Sequence, residues 1–190
     1  PIDLDGRLVY MSASIGITQE NAGYRNAEEF LRDADTAAYR AKSLGRARFV
    51  VFDKEMHEQA DARLQMSSDL VHAFDDETQF RLMYQPIIDL HQKRCSGFEA
   101  LVRWQHPTLG NIPPSEFIPV AEETGLIMRL GTWVLREACT QLARWRRRYA
   151  DAQAMTISVN VSPQQIVQPN FHREVAAILN ECGLPGQNLI

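Results

Sequence analysis

Between Gly97 and Trp104 the chain reads Gly-Phe-Glu-Ala-Leu-Val-Arg-Trp, and this segment restricts the possible folds more than any other. Its β-branched and aromatic content predicts a strand, along which side chains alternate between two faces. Phe98, Ala100, Val102 and Trp104 share one face; Glu99, Leu101 and Arg103 share the other. Apolar residues on both faces predict a strand covered on both sides, as in a sheet sandwiched between layers. Glu99 and Arg103 then need partners, because an unpaired buried charge is costly.

The flanking sequence sets a β/α rhythm. Downstream, Ile127, Leu130, Val134, Ala138, Leu142 and Trp145 recur at helical spacing, Thr156 to Ser162 reads as a strand, and Pro163 to Cys182 as one helix closed by Gly183 and Pro185. Asn188-Leu189-Ile190 opens a further strand. Alternation of this kind builds a parallel sheet whose successive strands lie side by side. Glu99 and Asn160 are thereby placed on neighbouring strands. Upstream, Phe80, Leu82 and Tyr84 alternate until Pro86, which predicts an edge or a bulge. Gly110 to Pro114 reads as a loop, with Ser115 capping a short helix.

The N-terminal part has the same α/β character. Leu8 to Ile17 is strand-like behind an Asp5-Gly6 turn, and Asn26 with Glu29 forms a capping box for a helix that ends at Gly45. Phe49 to Phe52 reads as a short buried strand. From Asp53 to Asp76 the chain is polar, lacks Pro and Gly, and reads as a helical connector.

Composition narrows the function classes. The chain has 190 residues and a formal net charge of -4, which excludes a general nucleic-acid binder. Cys95, Cys139 and Cys182 are scattered and odd in number, the pattern of reduced cytoplasmic thiols rather than of a disulfide framework or a zinc site. His57, His72, His91, His106 and His172 have no metal-ligand spacing and read as surface or loop residues. Arg144, Arg146, Arg147 and Arg148 read as the solvated C-terminal end of a helix, where cations favour the macrodipole. Glu99 and Asn160 offer hard oxygen ligands suited to Mg²⁺ or Mn²⁺. Arg103, on the same face as Glu99, is the residue type that grips phosphate bidentately. Metal-assisted phosphoryl chemistry and a self-satisfied polar network both fit this pattern.

Four ordered motifs resemble those of EAL domains: Tyr84-Gln85-Pro86-Ile87, Glu99 to Trp104, Pro114 to Glu122, and Ser158-Val159-Asn160-Val161-Ser162. The resemblance implies a TIM-like (β/α) barrel that hydrolyses cyclic di-GMP to linear pGpG with Mg²⁺ or Mn²⁺. It makes Glu99 and Asn160 metal ligands and places Arg103 and Gln85 against the substrate. Ser14-Ile15-Gly16 and Ala34 to Arg46 resemble the end of a GGDEF (diguanylate cyclase) domain, except that Ala38 stands where that family usually has Met. That resemblance places Lys42 and Arg46 against GTP phosphates. The resulting organisation is α/β throughout: residues 1–53 the end of a GGDEF domain, 54–79 a helical linker, and 80–190 the first half of an EAL barrel. The later catalytic acids and the general base then fall beyond Ile190. The chain is expected to be a piece of a longer cytoplasmic or membrane-anchored homodimeric protein, inactive and poorly stable by itself. A module that binds GTP or cyclic di-GMP without turnover, and net diguanylate cyclase activity, are the competing readings.

Overall fold

The structure is a computed structural model that describes residues 2–19, 24–75 and 78–190. It divides into two compact units, Pro1–Gln65 and Met66–Ile190. No described helix is long and apolar enough to cross a membrane.

In the first unit, β1 (Ile2–Leu4) and β2 (Arg7–Val9) form an antiparallel hairpin. Asp5 and Gly6 both have positive φ, the geometry that matches the twist of the strands they join. The predicted strand over 8–17 is interrupted, and β3 covers only Ile15–Ile17. The helix α1 (Ala27–Ser43) starts as the sequence implies, with Glu29 N–H donating to Asn26 Oδ1 at 2.8 Å. The return bond differs: the Glu29 carboxylate accepts from the backbone of Arg25, one residue earlier than in a capping box.

β4 (Phe49–Val51) pairs in parallel with β3. α1 lies tightly against β3, since a Cβ on Gly16 would sit 2.0 Å from the Ala34 carbonyl oxygen. Ala37 and Ala41 fill the contact. The expectation of a buried strand at 49–52 is corrected: Phe49 is 66% and Ile15 52% exposed. An apolar run is buried only where a layer covers it, and among the described residues α1 covers one face.

α2 (Lys54–Ala73) is helical as expected. Its last turns are more than a polar connector, because Leu70 and Ala73 are fully buried with Phe80, Trp104 and Phe117 in the second unit's core. That unit is built on β6 (Arg94–His106), with β5 (Phe80–Asp89) antiparallel along one edge. The register shifts between Ile87 and Ile88, one residue beyond Pro86, on a strand at the edge where proline is tolerated. The other edge of β6 is shared. β7 (Gly110–Ile112) pairs antiparallel with Trp104–His106, and β8 (Thr156–Val159) pairs in parallel with Gly97–Ala100. Leu189 bridges Ile157 in parallel, so the chain end joins this sheet next to β8.

α3 (Pro114–Thr124), α4 (Ile127–Arg148), the short α5 (Pro163–Ile166) and α6 (Phe171–Cys182) complete the unit. Trp104, Phe80, Phe117, Leu130 and Val134 form one core cluster; Ala100, Ile157, Leu142 and Ile178 form a second. Both draw on the even-numbered face of β6. The opposite face is not covered throughout as predicted, since Met83, opposite Leu101, is 51% exposed.

Five further expectations are corrected. Gly110–Ile112 is a strand rather than a loop, because His106 holds the preceding turn: its Nδ1 accepts from the backbones of Thr108 and Leu109. His106 is accordingly buried, with Nε2 3.4 Å from the Asp69 carboxylate, and is not a surface residue. Ser115 lies inside α3, whose first turn starts on Pro114 and needs no donor partner there. The single helix over 163–182 is broken between Ile166 and Phe171, where Pro169 cannot donate to the ladder. Arg146 is also not a solvated end. It donates to Asn188 Oδ1 at 2.9 Å and ties α4 to the last turn of the chain.

Candidate active site

The parallel register of β6 and β8 sets Glu99 opposite Ser158. Asn160, two residues further on, projects from the same face as Glu99. The two side chains meet, with Asn160 Nδ2 donating to Glu99 Oε1 at 2.7 Å. On the other side of β6, Gln85 lies directly opposite Glu99 in the antiparallel register and shares its face. Arg103 sits four residues along on that face and is half-buried, with Nη1 donating to the Val102 carbonyl at 2.8 Å. Gln85, Glu99, Arg103 and Asn160 therefore share one face of three adjacent strands.

The donor chemistry fits a hard divalent cation. A carboxylate and a side-chain amide converge within hydrogen-bond distance, and rotating the Asn160 amide by half a turn presents its oxygen beside that of Glu99. Two oxygens are a partial shell for an octahedral ion, which keeps several waters or draws on substrate oxygens. Among the described residues no group of three acidic, His or Cys side chains could hold a metal.

Sequence reasoning missed Glu122 and Ser162. The Ser162 hydroxyl donates to Glu122 Oε1 at 2.6 Å. Both line a cavity of about 260 Å³ together with Arg103, Asn160 and Gln165. Each lies within a motif already singled out, but only the folding of α3 toward the end of β8 brings them together. In the first unit, Lys42 and Arg46 are exposed cations at the C-terminal end of α1, and Arg46 has a positive φ.

Comparison with known proteins settles the family. The EAL domain profile matches residues 67–190. The chain belongs to the EAL domain family. It is 40% identical over its whole length to an uncharacterized signaling protein of Caulobacter vibrioides, covering 22% of that protein. It is 37% identical, again over its whole length, to the bifunctional diguanylate cyclase/cyclic di-GMP phosphodiesterase MucR of Pseudomonas aeruginosa, covering 27% of it. Among solved structures it resembles the MucR phosphodiesterase in complex with c-di-GMP, with a TM-score of 0.62 and 37% identity over 66% of this chain and 49% of that one. The chain thus spans about a quarter of the length of these curated relatives, and the second unit has a mixed α/β EAL-type fold.

Proposed function

We propose that the protein containing this chain hydrolyses cyclic di-GMP to linear pGpG, with Glu99 and Asn160 holding Mg²⁺ or Mn²⁺. The observation that carries this reading is the 2.7 Å contact of those two side chains on the face that also bears Arg103 and Gln85. When bound, the cation supplies electrophilic polarisation of a phosphate oxygen. Arg103 grips a phosphate of the dinucleotide through two parallel N–H donors, and Gln85 hydrogen-bonds the substrate from the neighbouring strand. Both act as fixed donors where negative charge grows during attack on phosphorus.

Residues 1–53 are read as the end of a GGDEF domain and 54–79 as the linker. The whole-length match to a bifunctional cyclase/phosphodiesterase supports that arrangement, as does the parallel β3–β4 pair crossed by α1. Lys42 and Arg46 then contact GTP phosphates in the complete domain.

Cyclic di-GMP turnover by the longer protein, followed by chromatography of pGpG, tests the reading. Glu99→Gln should lower turnover by about 100-fold or more, beyond the usual cost of losing an outer-shell partner. Undiminished turnover in that variant overturns it.

A further inference from the structure

Gln165 is the one buried residue of α5, whose other positions, including Ile166 at 62%, are exposed. This short helix follows directly on the segment that carries Asn160, and apolar burial contributes little to holding it. The Gln165 amide does that work. Its Oε1 accepts from the backbone N–H of Ser162 at 3.2 Å, while the Ser162 hydroxyl accepts from the backbone of Gln164 at 3.4 Å. The same hydroxyl donates to Glu122. One amide thus fixes the backbone two residues beyond Asn160 and, through Ser162, the orientation of the Glu122 carboxylate.

The neighbouring helix leaves room for this amide. Gly131 lies within α4, where glycine is disfavoured relative to alanine. A Cβ there would fall 1.9 Å from Gln165 Nε2 and 2.4 Å from its Cδ. Any larger residue would displace the amide and open the bond to Ser162. The glycine and the glutamine therefore form one device, a clearance in α4 and a strut that enters it.

We propose that Gln165, seated on Gly131, is a positioning residue for Asn160 and Glu122, touching neither substrate nor cation. The proposal rests on the reading of the site given above. Its consequence is specific: withdrawing the strut loosens the cation's amide ligand while leaving the sheet intact.

Three variants of the longer protein test it. Gln165→Met keeps the shape and removes the acceptor, Gln165→Glu keeps an acceptor for Ser162, and Gly131→Ala pushes the amide out from the opposite side. Mn²⁺ affinity is read from the paramagnetic resonance of the free ion, alongside kcat and KM for cyclic di-GMP and the thermal midpoint. Gln165→Met and Gly131→Ala should each weaken Mn²⁺ binding by about 10-fold or more and lower kcat, as loss of an outer-shell partner does. Gln165→Glu should stay near wild type. Unchanged Mn²⁺ affinity in Gln165→Met overturns the proposal. So does activity that falls only with the folded fraction, or a Gln165→Glu variant as impaired as Gln165→Met. If the wild type shows no Mn²⁺ binding that Glu99→Gln removes, the reading of the site fails and the positioning role fails with it.

Discussion

Gly97→Ala probes the β6–β8 junction that brings the two proposed ligands together. Gly97 pairs with Thr156, two residues before Glu99. A Cβ at this position would lie 2.5 Å from the Thr156 carbonyl oxygen and 2.4 Å from its hydroxyl. Ordinary contact begins near 3.4 Å, so the strands must part by about 0.9 Å. A shift of that size would stretch the 2.7 Å bond from Asn160 to Glu99 past hydrogen-bonding range. Forcing a methyl group into a packed contact costs about 1–3 kcal/mol. For a unit of this size that corresponds to a drop in thermal midpoint of about 2–12 °C. The variant should therefore melt earlier and bind Mn²⁺ more weakly. The carbonyl contact cannot be relieved by trimming a side chain, so Gly97→Ala combined with Thr156→Ala should recover only part of the loss. Full recovery in that double variant, or a wild-type midpoint and Mn²⁺ affinity in Gly97→Ala alone, would refute the reasoning.

Two further outcomes are expected. Burial, with the nearby Glu137 carboxylate as a smaller contribution, pushes the Tyr84 hydroxyl up to about 12, and burial pushes the Cys139 thiol up to about 11. The folded state holds these protons more tightly than the unfolded chain, so their contribution to stability is complete below pH 9 and is lost as pH rises through 11 to 12. Thermal midpoints measured from pH 8 upward should fall across that window, and Cys139→Ala should flatten its lower part; a midpoint insensitive to pH contradicts the assignment. Arg103→Lys should raise KM for cyclic di-GMP about 10-fold or more with Mn²⁺ affinity unchanged, because an ammonium cannot form the bidentate fork; an unchanged KM would remove Arg103 from the substrate.

The Glu99–Asn160 meeting was legible in the sequence because it depends on two local periodicities and one pairing rule. Alternation placed both residues on defined faces, and the β/α rhythm made their strands parallel neighbours. Gln85 was placed by the motif it belongs to, and the hairpin register then set it opposite Glu99. The sequence points to no role for Glu122, Ser162 or Gln165, since their convergence depends on how α3 and α4 approach the end of β8, for which a linear pattern carries no signal. Gly131 reads as an unremarked glycine in a helical stripe until Gln165 is found against it. The β3–β4 strands illustrate the opposite error. Phe49 to Phe52 reads as buried, but burial belongs to the covering layer and not to the strand. His106 departs from its sequence reading for a related reason: its partners, the backbone of the next turn and Asp69 on α2, are set by tertiary packing.

The central claim is that Glu99 and Asn160 share one divalent cation. Anomalous diffraction at the manganese edge, from crystals of the longer protein soaked in Mn²⁺, tests it most directly. The account expects a peak about 2.0–2.2 Å from a Glu99 carboxylate oxygen and from the Asn160 amide oxygen, lost in Glu99→Gln. A manganese peak bound elsewhere, with the Asn160 amide still donating to Glu99, would contradict it.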